Sequence, residues 1–114
     1  MFSCNEVLGR VSWRGRRVPL SLFQVHFVCY LARNAGRAVS HEELHQHFYA
    51  GLAIGNPLNG GIAAHNRGVI SKINRAFRRI DKSFSCIVTA GPRSLGYIWL
   101  APEEGEALLP RRAA

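Results

Sequence analysis

The chain has 114 residues, room for one compact domain and too few for two ordinary ones, and its 47% apolar content excludes disorder of the whole. Lys and Arg number 15 against 7 Asp plus Glu, and all but Lys72 and Lys82 of these cations are arginine, which suits nucleic acid or an anionic membrane surface. Cys4, Cys29 and Cys86 form no CxxC pair, so neither a disulfide framework nor a zinc knuckle is expected, and Cys29 and Cys86 read as small buried hydrophobes.

"GRVSWRGRRVPL", residues 9–20, is predicted to be a β-hairpin. Val11 and Trp13 alternate with polar residues, Arg14-Gly15-Arg16 can turn, and Val18 and Leu20 resume the alternation. "SLFQVHFVCYLARNAG" then reads as a helix capped by Ser21 and stopped at Asn34 to Gly36. Leu20, Phe23, Phe27, Val28 and Leu31 follow helical spacing and should face the core, with His26 at the core or its boundary. In "VSHEELHQHFYA", Ser40 and Glu43 have capping-box spacing, and Leu44 and Phe48 form the apolar stripe of a second helix. "GLAIGNPLNGGIAAHN", residues 51–66, is rich in glycine and asparagine and reads as a long connection. Such a loop in a small domain is usually functional or mobile.

"RGVISKINRAFRRI" falls in a third helix, about residues 64–81. At 100° per residue, Val69, Ile70, Ile73, Ala76, Phe77 and Ile80 share an arc of roughly 120°. Arg67, Ser71, Lys72, Asn74, Arg75, Arg78, Arg79 and Lys82 occupy the rest, and the nearest acid is Asp81. Ordinary solvated helix faces mix charges of both signs, whereas here like charges recur at helical spacing and repel. Binding to a polyanion explains why such repulsion is tolerated. Asn and Arg among these residues are also types that pair with base edges in a major groove.

"FSCIVTAGPRSLGYIWL" follows as a second hairpin, about 86–100, with Cys86, Val88, Tyr97 and Trp99 alternating and Arg93 at its tip. An arginine there can enter a minor groove, where negative potential is concentrated. The last stretch, residues 102–114, is expected to be a flexible tail, leaving one domain over 1–101. The fold class is therefore α+β: a winged helix-turn-helix of three helices, with an N-terminal β-hairpin and a C-terminal β-hairpin wing.

These segments resemble the OmpR/PhoB-type winged-helix domain, the DNA-binding output domain of many bacterial response regulators. "PLSLFQVHFVCYLARNAGRAVSHEEL" is similar to its first two helices and the A-R-N-x-G-R-x-V-S junction between them. "ISKINRAFRRI" is similar to its recognition helix, and "IVTAGPRSLGYIWL" to its I-x-T-x-R-G-x-G-Y wing. The resemblance implies groove contacts from Ser71, Lys72, Asn74 and Arg75. It implies backbone contacts from Arg78 and Arg79, a wing contact from Arg93, and phosphate contacts from Ser40 and His41. The long loop corresponds to a segment that can touch RNA polymerase in the family, and a dimer on DNA is compatible with it.

The chain departs from the family pattern at several points. Gln24 stands where an acid is usual, Asn66-Arg67 where an apolar–Asp pair is usual, and Gly91-Pro92 look inserted in the wing. Gly68 lies early in the recognition helix, and no receiver domain is expected ahead of the first hairpin.

"HEELH", residues 41–45, also satisfies the H-E-x-x-H zinc motif. Capping by Ser40 puts His41 in an exposed first turn instead of a cleft, so metal chemistry is not expected, nor any other cofactor or enzymatic activity. No segment approaches the ~18 apolar residues of a membrane span. The start, "MFSCNEVLGR", lacks the pattern of a signal peptide. The expectation is thus a cytoplasmic, stand-alone transcriptional regulator bound to double-stranded DNA, with no membrane partner. A protein-interaction module and a sequence-blind architectural DNA binder are the alternatives.

Overall fold

β1 (Phe2–Asn5), β2 (Arg10–Trp13) and β3 (Arg16–Val18) form an antiparallel meander in a computed structural model that describes residues 2–49, 61–91 and 95–100. The first part of the expected loop (50–60), the hairpin tip with Arg93 and the tail (102–114) lie outside the described residues. Arg14 and Gly15 both adopt left-handed backbone, with φ of 53° and 80°. They make a tight two-residue turn that pairs Trp13 with Arg16 and matches the natural strand twist.

The expected two-stranded hairpin thus has a third strand, β1, pairing Cys4 with Val11. β1 is only four residues long, and its alternation is too short to stand out in sequence. Its presence also overturns the expectation for the cysteines. β1 lies against the first helix and brings Cys4 to Cys29, with Cα atoms 6.0 Å apart and the two joined as a disulfide. Cys29 and Cys86 are nevertheless buried, as expected.

Helix α1 (Leu22–Arg33) begins with a complete capping box. The Gln24 amide N–H donates to Ser21 Oγ at 3.2 Å, and the Ser21 N–H donates to Gln24 Oε1 at 2.9 Å. The amide of Gln24 therefore serves where an acid is usual. Val25, Phe27, Val28, Cys29 and Leu31 are buried, a wider stripe than the spacing suggested. Phe23 instead stands at the surface, edge-on to Phe48.

A short strand, β4 (Val39–Ser40), leads into α2 (His41–Tyr49). Half of the second expected capping box is present: the Glu43 N–H donates to Ser40 Oγ at 3.0 Å. The Glu43 carboxylate turns the other way and accepts two bonds from Arg37, at 2.6 and 3.0 Å, and one from the Tyr30 hydroxyl. Arg37 also donates to Asn34 Oδ1 at 2.9 Å. The junction motif is thus a polar clamp that fixes the angle between α1 and α2.

The third helix, α3, spans Gly61–Ile80 and starts earlier than expected, so residues 61–66 are helical and not part of a loop. Gly60-Gly61 reads as a break in sequence, yet the helix begins at Gly61. Asn66 falls within it, at 0% exposure on the same stripe as Ile70, Ile73 and Phe77, where a polar residue interrupts the apolar periodicity.

β5 (Ile87–Ala90) and β6 (Gly96–Trp99) complete a second antiparallel sheet in the order β4-β6-β5. Ile87, not Val88, carries the buried face of β5. A Cβ at Gly96 would collide with the Val39 carbonyl oxygen and with Ser40 Cα, so glycine is what lets β4 lie against β6. Phe77 stacks on Phe84 at 4.1 Å, and Trp13 meets Phe84 edge-on at 5.0 Å. These rings, with Phe27, Leu31, Leu44 and Trp99, form one core among three helices and two sheets.

Candidate nucleic-acid interface

The buried stripe of α3 orients everything else on that helix. With Asn66, Ile70, Ile73 and Phe77 turned inward, Arg67, Gly68, Ser71, Lys72, Arg75, Arg78 and Arg79 are exposed. No residue of Gly61–Ile80 is acidic. Arg67, Lys72, Arg75 and Arg79 have no acidic partner among the described residues. Ser71, Arg75, Arg78 and Arg79 line a shallow depression along this face. Held cations without counter-charges make a surface of positive potential suited to phosphate.

The other candidate residues are placed differently. Arg78 Nε donates to the Phe84 carbonyl at 3.2 Å, which anchors the arginine stem to the turn after α3. Asn74 is half-buried at the edge of the basic face, and its Oδ1 is buried without a hydrogen-bond partner among the described residues. It is therefore turned against the protein, away from the outward position expected of it. Ser40 is exposed at the start of α2. His41 is half-buried, with Nδ1 3.1 Å from Asn66 Nδ2 and its ring edge-on to Tyr97. Its ring thus bridges α2, α3 and β6, which the expected exposed first turn did not include. Among the described residues no three His, Cys, Asp or Glu side chains gather to hold a metal. Arg93 lies outside the described residues, so its place relative to α3 is not part of this geometry.

A lock at the C-terminal end of α3 has no counterpart in the sequence reading. Asp81 Oδ2 accepts from Trp13 Nε1 at 2.9 Å and from Arg14 Nε at 2.7 Å. Its Oδ1 accepts from the Ser83 hydroxyl and N–H. Hydrogen bonds from Ser83 and Trp13, supported by Arg14, hold the Asp81 carboxyl well below the usual carboxylate range. Asp81, at the end of the basic face, is thus engaged with the first sheet and fixes the end of α3. The Trp13–Asp81 pair spans the chain, and no local pattern announces it.

No family model and no curated protein sequence matches the chain. Solved structures do. The DNA-binding domain of Escherichia coli CadC superposes with a TM-score of 0.68 at 18% identity, covering 89% of this chain and 87% of that one. DrrB of Thermotoga maritima, an OmpR/PhoB homolog, gives 0.67 at 22% identity over 88% of this chain and 42% of that one. The AdeR DNA-binding domain, solved in complex with an intercistronic region, gives 0.66 at 14% identity over 89% and 94%. The fold is a winged helix, similar to that of these three proteins. In this winged helix, α2 and α3 are the helix-turn-helix pair, and β5–β6 is the wing. The N-terminal meander packs against α1 and α3. Among the described residues no helix is long and apolar enough to cross a membrane.

Proposed function

We propose that the chain is a sequence-specific DNA-binding transcriptional regulator. The observation that carries this reading is the acid-free outer face of α3, where Arg67, Lys72, Arg75 and Arg79 stand exposed and without acidic partners among the described residues. α3 enters the major groove, where a helix fits and base edges are distinguishable. Ser71, Lys72 and Arg75 reach toward the bases, and Asn74 joins them only if its side chain swings out. Arg67, Arg78 and Arg79 hold phosphates, with Ser40 and His41 at the start of α2. The wing lies along the minor groove, with Arg93 as its contact. The fold likeness to DNA-binding domains, one of them solved on DNA, supports the same docking. The segment around residues 50–65 is the candidate contact for RNA polymerase, and a second copy on an adjacent half-site is compatible with this docking.

Shift assays with duplexes selected from a random pool and with scrambled duplexes, at several salt concentrations, test the reading. Phosphate contacts from the three arginines Arg67, Arg78 and Arg79 would give a slope of log affinity against log salt of roughly −3. Selected duplexes should bind tighter than scrambled ones. No binding to any duplex at low salt would overturn the reading, and equal affinity for all duplexes would make the protein an architectural binder.

A further inference from the structure

We propose that Arg16, in the turn between β2 and β3, and Lys82, just past α3, form a second phosphate-binding point that extends the DNA contact beyond the groove occupied by α3. The inference rests on the DNA-binding reading above and adds a site that the helix-turn-helix and wing do not supply. The Asp81 lock places both residues beside the C-terminal end of α3. Arg14 and Trp13 hold Asp81 from the hairpin side, and Lys82 follows Asp81 directly. Arg16 is the cross-strand partner of Trp13, which places the two side chains as neighbours on one face of the sheet. That face packs on α3, because Val18, two residues on from Arg16, is buried there and β3 lies against the helix.

Arg16 and Lys82 are exposed, and neither has an acidic partner among the described residues. Among the described residues Asp81 is the only acid in this corner, and Arg14, Trp13 and Ser83 already engage it. The positive surface of α3 therefore continues through Arg78 and Arg79 onto the edge of the first sheet. Arg17, by contrast, alternates to the opposite face and points away from α3. A purely structural role is the competing explanation, since cations near a helix C-terminus favour the helix dipole. That role would alter stability and leave the salt dependence of binding unchanged.

The test uses the full chain and a selected duplex in fluorescence anisotropy over a salt series. Arg16→Gln and Lys82→Gln should each lower the slope of log affinity against log salt by about 0.9. Between about 50 and 200 mM salt, each variant should lose about 3-fold less affinity than the parent chain. Arg17→Gln should keep the parent slope. Thermal melts of all three should match the parent, because among the described residues these side chains carry no bond the fold relies on. If the parent chain binds and both variants keep its slope, the second contact point is overturned while the DNA-binding reading stands. An equal loss in Arg17→Gln would assign the effect to bulk charge and overturn the placement. No binding by the parent chain would overturn both readings together.

Discussion

The same substitution, glycine to alanine, should have opposite signs at two positions. At Gly96 the added Cβ would lie 2.7 Å from Ser40 Cα and closer still to the Val39 carbonyl oxygen. Both obstacles are backbone, so no side chain can rotate out of the way. Either β4 leaves β6 or the wing shifts as a whole. Overpacking of this kind costs roughly 1–3 kcal/mol, and the rigidity of the obstacle argues for the upper end. Because β4 runs directly into α2, the loss should also loosen the helix-turn-helix and weaken DNA binding. At Gly68 the new Cβ would meet nothing within 4 Å, and the backbone is helical. Alanine there should stabilise the protein by about 1 kcal/mol. For a domain of this size that raises the melting temperature by roughly 4 °C or more. Urea and thermal unfolding of both variants measure the contrast. A Gly96→Ala protein as stable as the parent would show that β4 and β6 do not pair as closely as described. A destabilised Gly68→Ala protein would refute the open, helical position of Gly68.

Three further outcomes are expected. Reduction of the Cys4–Cys29 bond, which closes a loop with a sequence separation of 25, should lower stability by about 3 kcal/mol. Thermal melts with and without reductant measure it, and coincident melts would mean that the two sulfurs are not bonded. The Arg37 fork, aided by the Tyr30 hydroxyl, lowers the Glu43 carboxyl from 4.5 to about 2. Its folded value lies below its unfolded one, so its contribution is fully present above the unfolded value and fades as pH falls toward about 2. The pair is partly exposed, so the contribution is about 1 kcal/mol. Unfolding curves of Glu43→Gln against pH should converge with the parent at the acid end, and a gap that persists there would contradict the clamp. Arg75→Ala should weaken binding to a selected duplex by roughly 1–3 kcal/mol, measured by anisotropy, while thermal stability stays unchanged. Undiminished binding by that variant would take Arg75 out of the interface.

Wherever a single periodicity governed an element, the sequence showed it plainly. The stripe of Ile70, Ile73 and Phe77 oriented α3 and exposed its basic face, and the Ser21 cap placed the start of α1. Features that depend on residues distant in sequence were not legible. Cys4 had no visible partner until β1 was laid on α1, and Asp81 gave no sign that Trp13 and Arg14 would engage it. Asn66 misled in a different way. It ends a stretch that reads as a connection, and its burial against His41 is a tertiary choice that no local pattern shows. Asn74 shows the limit of the helical wheel for the site itself. Its angular position permits outward display, yet its amide oxygen is buried.

Selection of duplexes from a random pool, carried out in parallel with the parent chain and Arg75→Ala, tests the central claim most directly. The parent should enrich a defined motif, and the variant the same motif with the preference relaxed at one base pair. An identical motif from both proteins, or no enrichment by the parent, would contradict the assignment of the outer face of α3 as the surface that reads DNA.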